Sequence, residues 1–158
     1  IFLPYLSGEK SPIWDPNARG VFFGISLTSS YSDFIRAIME GVAFSIKHCI
    51  ENLLDTSNLN NLSAVPIGGG IANSDIWCQI FADILQRPII QLSQEETETL
   101  GDIIIAAHAI GIKDIKPDFG KKLAEKGNLK LPNKATKDLY EEKFAKYKEL
   151  YKSISHLY

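Results

Sequence analysis

Hydrophobic residues along the chain form short runs that alternate with longer stripes of helical spacing, a pattern that predicts strands followed by helices. The short β-prone runs lie at residues 1–6 (IFLPYL), 21–27 (VFFGISL), 62–68 (LSAVPIG) and 87–92 (RPIIQL). Turn-favouring residues separate them, most densely in SGEKSPIWDPNARG at 7–20. The order of these segments predicts an α/β domain in which helices flank a sheet.

Four segments carry apolar residues every three or four positions and are predicted to be helices. They are Tyr31–Leu54, Ser74–Leu85, residues 95–111 and Lys137–Tyr158. Ser30 or Ser32 is the predicted N-cap of the first helix, and Gly111 is the predicted C-cap of the third. Residues 115–135 are predicted to form a polar connector that contains at most one short helix. The predicted buried stripes are Phe34, Ile38, Val42, Ile46, Ile50 and Leu53 in the first helix, Ile76, Ile80 or Phe81, and Ile84 in the second, and Tyr140, Phe144, Tyr147, Tyr151, Ile154 and Tyr158 in the last.

Composition supports one ordinary globular domain, since 45% of the 158 residues are hydrophobic and 23% are charged. The net charge of −2 gives no basic bias, although residues 1–112 hold 5 Lys and Arg against 12 Asp and Glu, and residues 113–158 hold 12 against 7. Because acids are interspersed in the basic segment, we interpret it as a solvated helix face and expect no nucleic-acid partner.

The chain shows neither an apolar run of about 20 residues nor a signal-peptide pattern, so we expect a cytoplasmic protein with no membrane partner. Cys49 and Cys78 lie in apolar, helix-like segments and are predicted to be buried free thiols. The three histidines show no metal-ligand spacing. The sequence given begins with IFLPYL, a β-prone segment without an initial Met, and we therefore expect it to be a piece of a longer chain.

Three consecutive glycines at 68–70 follow a predicted strand and precede a predicted helix. Without a Cβ in the way, a flat ligand can lie directly against the main chain there. The segment GGGIANS contains no Lys or Arg, so it suits a base or ribose better than a triphosphate, and Asn73 can both donate to and accept from an adenine edge. The alternative is a tight turn without a ligand, in which Asn73 or Ser74 caps the next helix.

Two charged positions also allow two interpretations. Arg36 and Glu40 stand four residues apart on the first helix and predict a surface ion pair, with ordering of an interdomain hinge as the alternative. Asp83 is either a buried hydrogen-bonding residue that supports the glycine turn or an exposed one.

Four ordered segments resemble the C-terminal domain of the FGGY carbohydrate kinases, a family that includes xylulokinase, gluconokinase and glycerol kinase. They are FLPYLSGEKSPIWDPNARGVFFG, GVFFGISLTSSYSDFIRAIMEG, IGGGIANSDIWCQIFADILQRPI and LGDIIIAAHAIG, which together cover essentially the whole chain. In the second segment, the matched signature positions are Gly20, Phe22, Gly24, Ile25, Asp33, Phe34, Ala37, Ile38, Met39 and Glu40. The resemblance implies an actin-like, ribonuclease-H-like α/β fold with a mixed sheet flanked by helices, and residues 1–158 as the adenosine-binding domain of a two-domain chain.

The resemblance also implies ATP and Mg²⁺ as cofactors, with the backbone of Gly69 against the nucleotide, Asn73 near the adenine, and Gly68 and Gly70 keeping the turn open. The family's D-x-G phosphate loop, sugar site and catalytic Asp are not found in these residues. We therefore expect no catalytic residue here, no phosphoryl transfer by these residues alone, sugar bound through an N-terminal domain, and magnesium held mainly outside this chain.

The segment PYLSGEKSP resembles the xylulokinase branch, which makes xylulose the expected substrate, with gluconate or another sugar or polyol as the alternative. A rival from another class is a non-catalytic, actin-like module that binds nucleotide or a partner, and a second rival is a structural protein whose glycines bind nothing. Homodimerisation through the first or last helix is a further possibility, although core packing is the favoured use of both.

Overall fold

The computed structural model describes residues 1–56, 63–92, 97–112 and 127–158. These residues divide into two compact units. The first comprises Ile1–Leu62, Asp83–Gln86 and Asn133–Tyr158, and the second comprises Ser63–Ala82 and Arg87–Pro132. The units are described separately below.

The first unit combines a small antiparallel sheet with two long helices. Strand β1 (Phe2–Leu3) pairs with β2 (Val21–Phe22), so only short parts of the two predicted β-prone runs form a ladder. Helix α1 covers Tyr31–Thr56, and the C-terminal helix, which we call α4, covers Lys137–Ile154. The core contains the fully buried Leu3, Tyr5, Phe44, Phe144 and Tyr147.

Ser30 caps helix α1, which decides between the two predicted caps. Its hydroxyl oxygen accepts a hydrogen bond from the backbone N–H of Asp33 at 3.4 Å, and the Asp33 carboxylate accepts one from the Ser30 N–H at 2.8 Å. This reciprocal pair satisfies donors that the first turn of a helix leaves free. Asp33 is also the acid of the first turn.

The buried face of α1 differs from the predicted stripe. Its buried residues are Glu40, Gly41, Ala43, Phe44 and Lys47, whereas Ile46 and Leu53 are exposed. The stripe predicted for the last helix is closer, because Tyr140, Phe144 and Tyr147 are buried, joined by Leu150. The prediction for α1 was wrong at Ile46 and Leu53, and it left out Glu40 and Lys47, two charged residues that are buried on this face because they are paired.

The second unit contains a three-stranded mixed sheet of β3 (Val65–Ile67), β4 (Ile89–Gln91) and β5 (Asn128–Lys130), in the order β3-β4-β5. β3 and β4 are parallel, and β5 is antiparallel to β4. β5 was not predicted, because it lies in the segment predicted to be a polar connector and its three residues NLK include a single apolar one. The short helix expected in that connector falls among residues 113–126, outside the described residues.

Two further helices lie in this part of the chain. Helix α2 (Asp75–Leu85) buries Ile80, Phe81 and Ile84 as predicted, but Ile76 is exposed. Helix α3 covers Thr97–Ala109. It ends in a Schellman motif, because Gly111, with φ +84°, donates to the His108 carbonyl at 3.1 Å and Ile112 donates to the Ala107 carbonyl at 2.9 Å. The predicted C-cap at Gly111 is confirmed.

Candidate nucleotide-binding turn

The candidate site begins where the two parallel strands of the second unit end. Ile67, the last residue of β3, is opposite Gln91, the last residue of β4, and the Leu92 N–H donates to the Ile67 carbonyl at 2.9 Å. Ligands of open α/β sheets bind outside the carboxyl ends of parallel strands. The glycine segment leaves the sheet at this edge.

The segment folds into a single 3₁₀ turn, Gly69–Asn73, preceded by Gly68 in extended conformation. Gly69 has φ +69°, a left-handed conformation that residues with a side chain rarely adopt, so glycine is required there. A Cβ placed on Gly69 or on Gly70 would meet no atom of the described residues within 4 Å. The turn therefore presents bare backbone to open space.

The opposite side of the turn is fixed by hydrogen bonds. Ala72 is buried, and its carbonyl accepts from the side-chain amide of Gln91 at 2.6 Å. The Ile71 carbonyl accepts from the Ser74 backbone N–H at 3.1 Å and from the Cys78 thiol at 3.6 Å. Two successive carbonyls are thus satisfied from within the unit, which holds the turn in one conformation.

Helix α2 starts directly after the turn. The Ser74 hydroxyl accepts from the Trp77 N–H at 3.2 Å, so Ser74 rather than Asn73 caps the helix. Asp75 in the first turn forms an ion pair with Lys130 of β5, with Nζ and Oδ1 3.1 Å apart. The hydrogen bond from Lys130, followed by one from Gln91, lowers the pKa of the exposed Asp75 carboxyl.

The four residues predicted to contact nucleotide, Gly68, Gly69, Gly70 and Asn73, lie in this one turn. Gly70 and Asn73 are exposed, whereas Gly68 and Gly69 are partly buried. Sequence reasoning missed Gln91 and the Asp75–Lys130 pair, because Gln91 stands in an apolar-looking strand and β5 was not predicted. Alternation along β4 places Gln91 on the same face as Ile89, a signal that marks it as buried.

Asp83 is 8% exposed, and its carboxylate accepts from the Asn133 N–H at 2.8 Å. Of the two interpretations given for Asp83, a buried hydrogen-bonding residue or an exposed one, the first is therefore correct. This hydrogen bond, however, holds the segment before α4 rather than the glycine turn. The two cysteines are free as predicted, with Cys78 buried and Cys49 half-buried.

The donor set at the turn suits the neutral part of a nucleotide. The segment 68–74 contains no charged side chain, and the Asp75 carboxylate beside it is paired with Lys130. Within the described ranges, no three His, Cys, Asp or Glu side chains are grouped so that they could hold a metal ion. The turn itself therefore offers backbone and amide groups rather than the carboxylates that magnesium prefers. Among the helices described, none combines the length and apolar character needed to cross a bilayer.

Comparison with known proteins gives three concordant results. Residues 1–110 match the model of the C-terminal domain of the FGGY family of carbohydrate kinases. A xylulose kinase of Staphylococcus epidermidis is 34% identical over 157 residues, which cover 99% of this chain and 31% of that protein. A gluconokinase of Bacillus subtilis is 32% identical over 111 residues, which cover 70% of this chain and 21% of that protein.

Solved structures agree with these sequence relatives. The ligand-bound xylulose kinase of Lactobacillus acidophilus superimposes with a TM-score of 0.78 at 30% identity, covering 98% of this chain and 31% of that one. The gluconate kinase of the same organism gives a TM-score of 0.77, also at 30% identity and with the same coverage. The chain thus spans about a third of the length of the proteins that it matches.

Proposed function

Because this chain belongs to the FGGY family of carbohydrate kinases, we propose that it forms the adenosine-binding part of an enzyme that transfers the γ-phosphate of ATP to a sugar hydroxyl. The observation that carries this proposal is the open glycine turn at the carboxyl ends of two parallel strands. The actin-like α/β fold expected from the sequence is confirmed by the structural relatives.

In the proposed complex, the adenine and ribose lie on the exposed side of the turn. The backbone at Gly69 contacts the nucleotide and the Asn73 side chain reaches the adenine, while Gly68 and Gly70 leave the approach free of side chains. The open space above Gly69 and Gly70 supports this arrangement. The absence of charged side chains in segment 68–74 supports a role in binding adenosine rather than phosphate.

The remaining parts of the reaction are assigned to other residues of a longer chain. Phosphoryl transfer needs a positioned Mg²⁺, a base at the acceptor hydroxyl and exclusion of water. We propose that an N-terminal domain binds the sugar and supplies the base, and that it holds most of the metal's ligands. Residues 1–158 then act as the C-terminal domain of a cytoplasmic enzyme, a role supported by their coverage of about a third of the relatives.

Xylulose is the proposed acceptor, because xylulose kinases of Staphylococcus epidermidis and Lactococcus lactis match over 99% of this chain. Gluconate is the second candidate, since the gluconokinase of Bacillus subtilis matches over 70% of it. The sugar site is assigned to the other domain, so the choice between these substrates depends on the full-length protein.

The test is a coupled ADP-release assay on the full-length protein that contains this chain, with xylulose, gluconate, glycerol, ribulose and rhamnulose as acceptors. We expect turnover with one sugar and a KM for ATP raised about fivefold to tenfold in Asn73→Ala, the loss expected for one hydrogen bond.

Two glycine variants form a matched pair for the same assay. Gly69→Ala introduces a methyl group at a positive φ and is expected to raise the KM for ATP strongly, whereas Gly70→Ala adds a methyl group without backbone strain and is expected to raise it less. No turnover with any sugar, together with unchanged nucleotide binding in Asn73→Ala, would contradict the kinase and leave the non-catalytic module.

A further inference from the structure

Gln91 is a polar residue at a buried position of the sheet. It ends the central strand β4, opposite Ile67 of β3 on one side and Asn128 of β5 on the other. Its side chain shares the face of Ile89, which is fully buried, and Gln91 itself is only 9% exposed. An apolar residue of similar size would fill this position without the need for hydrogen bonds.

The nitrogen of the Gln91 amide connects two neighbouring elements. It donates to the Ala72 carbonyl of the glycine turn at 2.6 Å, and the amide also hydrogen-bonds the Asp75 carboxylate at the start of α2. A primary amide carries two N–H donors, so one nitrogen can serve both acceptors. The turn and the first residue of α2 are thus both held by the last residue of β4.

The oxygen of the same amide is left without compensation. Gln91 Oε1 is buried and has no hydrogen-bond partner among the described residues. A buried acceptor without a donor is unfavourable, and such a group in a folded protein calls for an explanation. Packing of the sheet does not provide one, since a methionine would fill nearly the same volume without an unpaired oxygen.

We propose that Gln91 is a positioning residue for nucleotide binding, which holds the Ala72 carbonyl inward and thereby presents Asn73 and the bare backbone of Gly69 to the nucleotide. The peptide group is planar, so fixing the Ala72 carbonyl fixes the plane of the Ala72–Asn73 peptide. Together with the φ of Asn73, which the 3₁₀ turn fixes, that plane sets the direction in which the Asn73 side chain leaves the backbone. This inference rests on the function proposed above.

The expected consequence of losing this bond is weaker nucleotide binding with unchanged chemistry. A turn free to adopt other conformations binds only when it is in the competent one, which lowers apparent affinity. Gln91 lies beneath the adenosine side of the proposed site, so the transfer step itself is not affected. A residue needed only for packing would instead change stability, kcat and both KM values together.

The experiment compares Gln91→Met with Gln79→Met in the full-length protein. Gln79 is a matched control, because its amide also donates to a backbone carbonyl of this unit, that of Leu131 at 2.9 Å, but away from the turn. For Gln91→Met we expect the KM for ATP to rise about fivefold, the effect of one hydrogen bond. We expect kcat and the KM for sugar to change less than twofold and the melting temperature to fall by only a few degrees, because the buried Ala72 carbonyl loses its donor. Gln79→Met should leave the KM for ATP unchanged.

Each other outcome has a definite meaning. If Gln91→Met leaves the KM for ATP unchanged, the positioning role is overturned and the proposed kinase stands. The same conclusion follows if Gln91→Met lowers stability and kcat and raises both KM values together. If the wild type phosphorylates no sugar, calorimetric titration of the wild type and of Gln91→Met with ADP tests nucleotide binding directly. Binding that weakens in Gln91→Met supports the positioning role alone, and absent binding overturns both proposals. If Gln91→Met does not fold, Gln91→Leu, which also lacks the amide donor but buries no charge, carries the same comparison.

Discussion

Gly41 is a residue at which a single methyl group decides whether two elements can touch. It lies on the buried face of α1, and a Cβ built there would collide with the carbonyl oxygen of Phe2 in β1. Backbone atoms of a paired strand cannot move aside as a flexible side chain can. Glycine at this position therefore permits the close approach of helix and strand.

We expect Gly41→Ala to lower the free energy of unfolding by about 2–3 kcal/mol, because overpacking against backbone outweighs the gain of about 1 kcal/mol in helix propensity. Gly101→Ala in α3 is the matched control, since a Cβ there meets no described atom within 4 Å. That variant should gain up to about 1 kcal/mol. Urea unfolding of both variants measures the difference, and equal stabilities would contradict the close approach.

At this scale, the sequence identified the residues whose roles are local. The glycine turn between a strand and a helix and the C-cap at Gly111 follow from neighbouring residues, and the structure has them where they were predicted. Gln91 could not be identified in this way, because its partner Ala72 lies 19 residues away and the strand around it is apolar.

At the scale of elements, α1 and α4 are joined by buried charges. Glu40 is 7% exposed, and its carboxylate accepts from Arg36 Nε at 2.8 Å, Lys143 Nζ at 3.0 Å and the Tyr140 hydroxyl at 3.1 Å. Burial raises the pKa of Glu40, but the hydrogen bonds from Arg36 and Lys143 outweigh burial and the pKa is lowered. The predicted surface pair of Arg36 and Glu40 is thus part of a buried network.

Glu40→Gln should lower the free energy of unfolding by about 2–3 kcal/mol, because it removes the charge that balances two cations while keeping the side-chain shape. Glu142→Gln is the control. It breaks the Glu142–Lys146 pair, whose atoms are 2.6 Å apart but whose side chains are 66% and 64% exposed. Exposed pairs contribute little, so a change below about 0.5 kcal/mol is expected there. If both variants lower the free energy of unfolding by similar amounts, burial of Glu40 does not add to the stabilisation by its ion pairs.

The sequence predicted the existence and type of α1 and α4 but not the face that α1 buries. Hydrophobic periodicity treats every charged residue as solvent-exposed, and Glu40 and Lys47 are exceptions. Lys47 is buried because Glu141 pairs with it at 2.7 Å and the ring of Phe144 lies 4.7 Å away. Both partners belong to α4, about 94 residues further along the chain, where no local pattern can indicate them.

At the scale of the molecule, His48 connects stability to pH. His48 of α1 is half-buried, and burial lowers its pKa, helped by the cations Lys148 and Lys152 of α4 and opposed by Glu51. The folded protein therefore disfavours the charged form, whereas an unfolded histidine titrates near about pH 6.5. The unfolded state binds more protons in this range, so stability declines as the pH falls through that value.

We expect the stabilising contribution of neutral His48 to be complete above about pH 7 and to decrease below about pH 6.5, until the pH passes the lowered pKa of the folded state. His48→Gln should flatten the decline in unfolding free energy measured between about pH 7 and pH 5. His156→Gln, which removes a histidine from an exposed position, is the comparison variant. A decline in His48→Gln as steep as that of the wild type would assign the pH dependence to other groups.

The order of elements in the whole chain was largely predictable, and so was the family, because four separate segments carry its motifs. The division into two compact units was not, since the first unit is assembled from three separate stretches of sequence. Nor was β5, whose pairing with β4 is visible only once the sheet has formed. Contacts between distant segments determine both features.

The buried hydrogen bond between the hydroxyls of Tyr5 and Tyr147, 2.8 Å long, joins residues separated by 142 positions. During synthesis at about 5–20 residues per second, the ribosome needs roughly 7–30 s to travel from one tyrosine to the other. All of the second unit leaves the ribosome in that interval, while β1 and α1 still lack the aromatic residues of α4 that complete their core. The nascent chain therefore carries an exposed apolar surface for seconds before the first unit can complete its core.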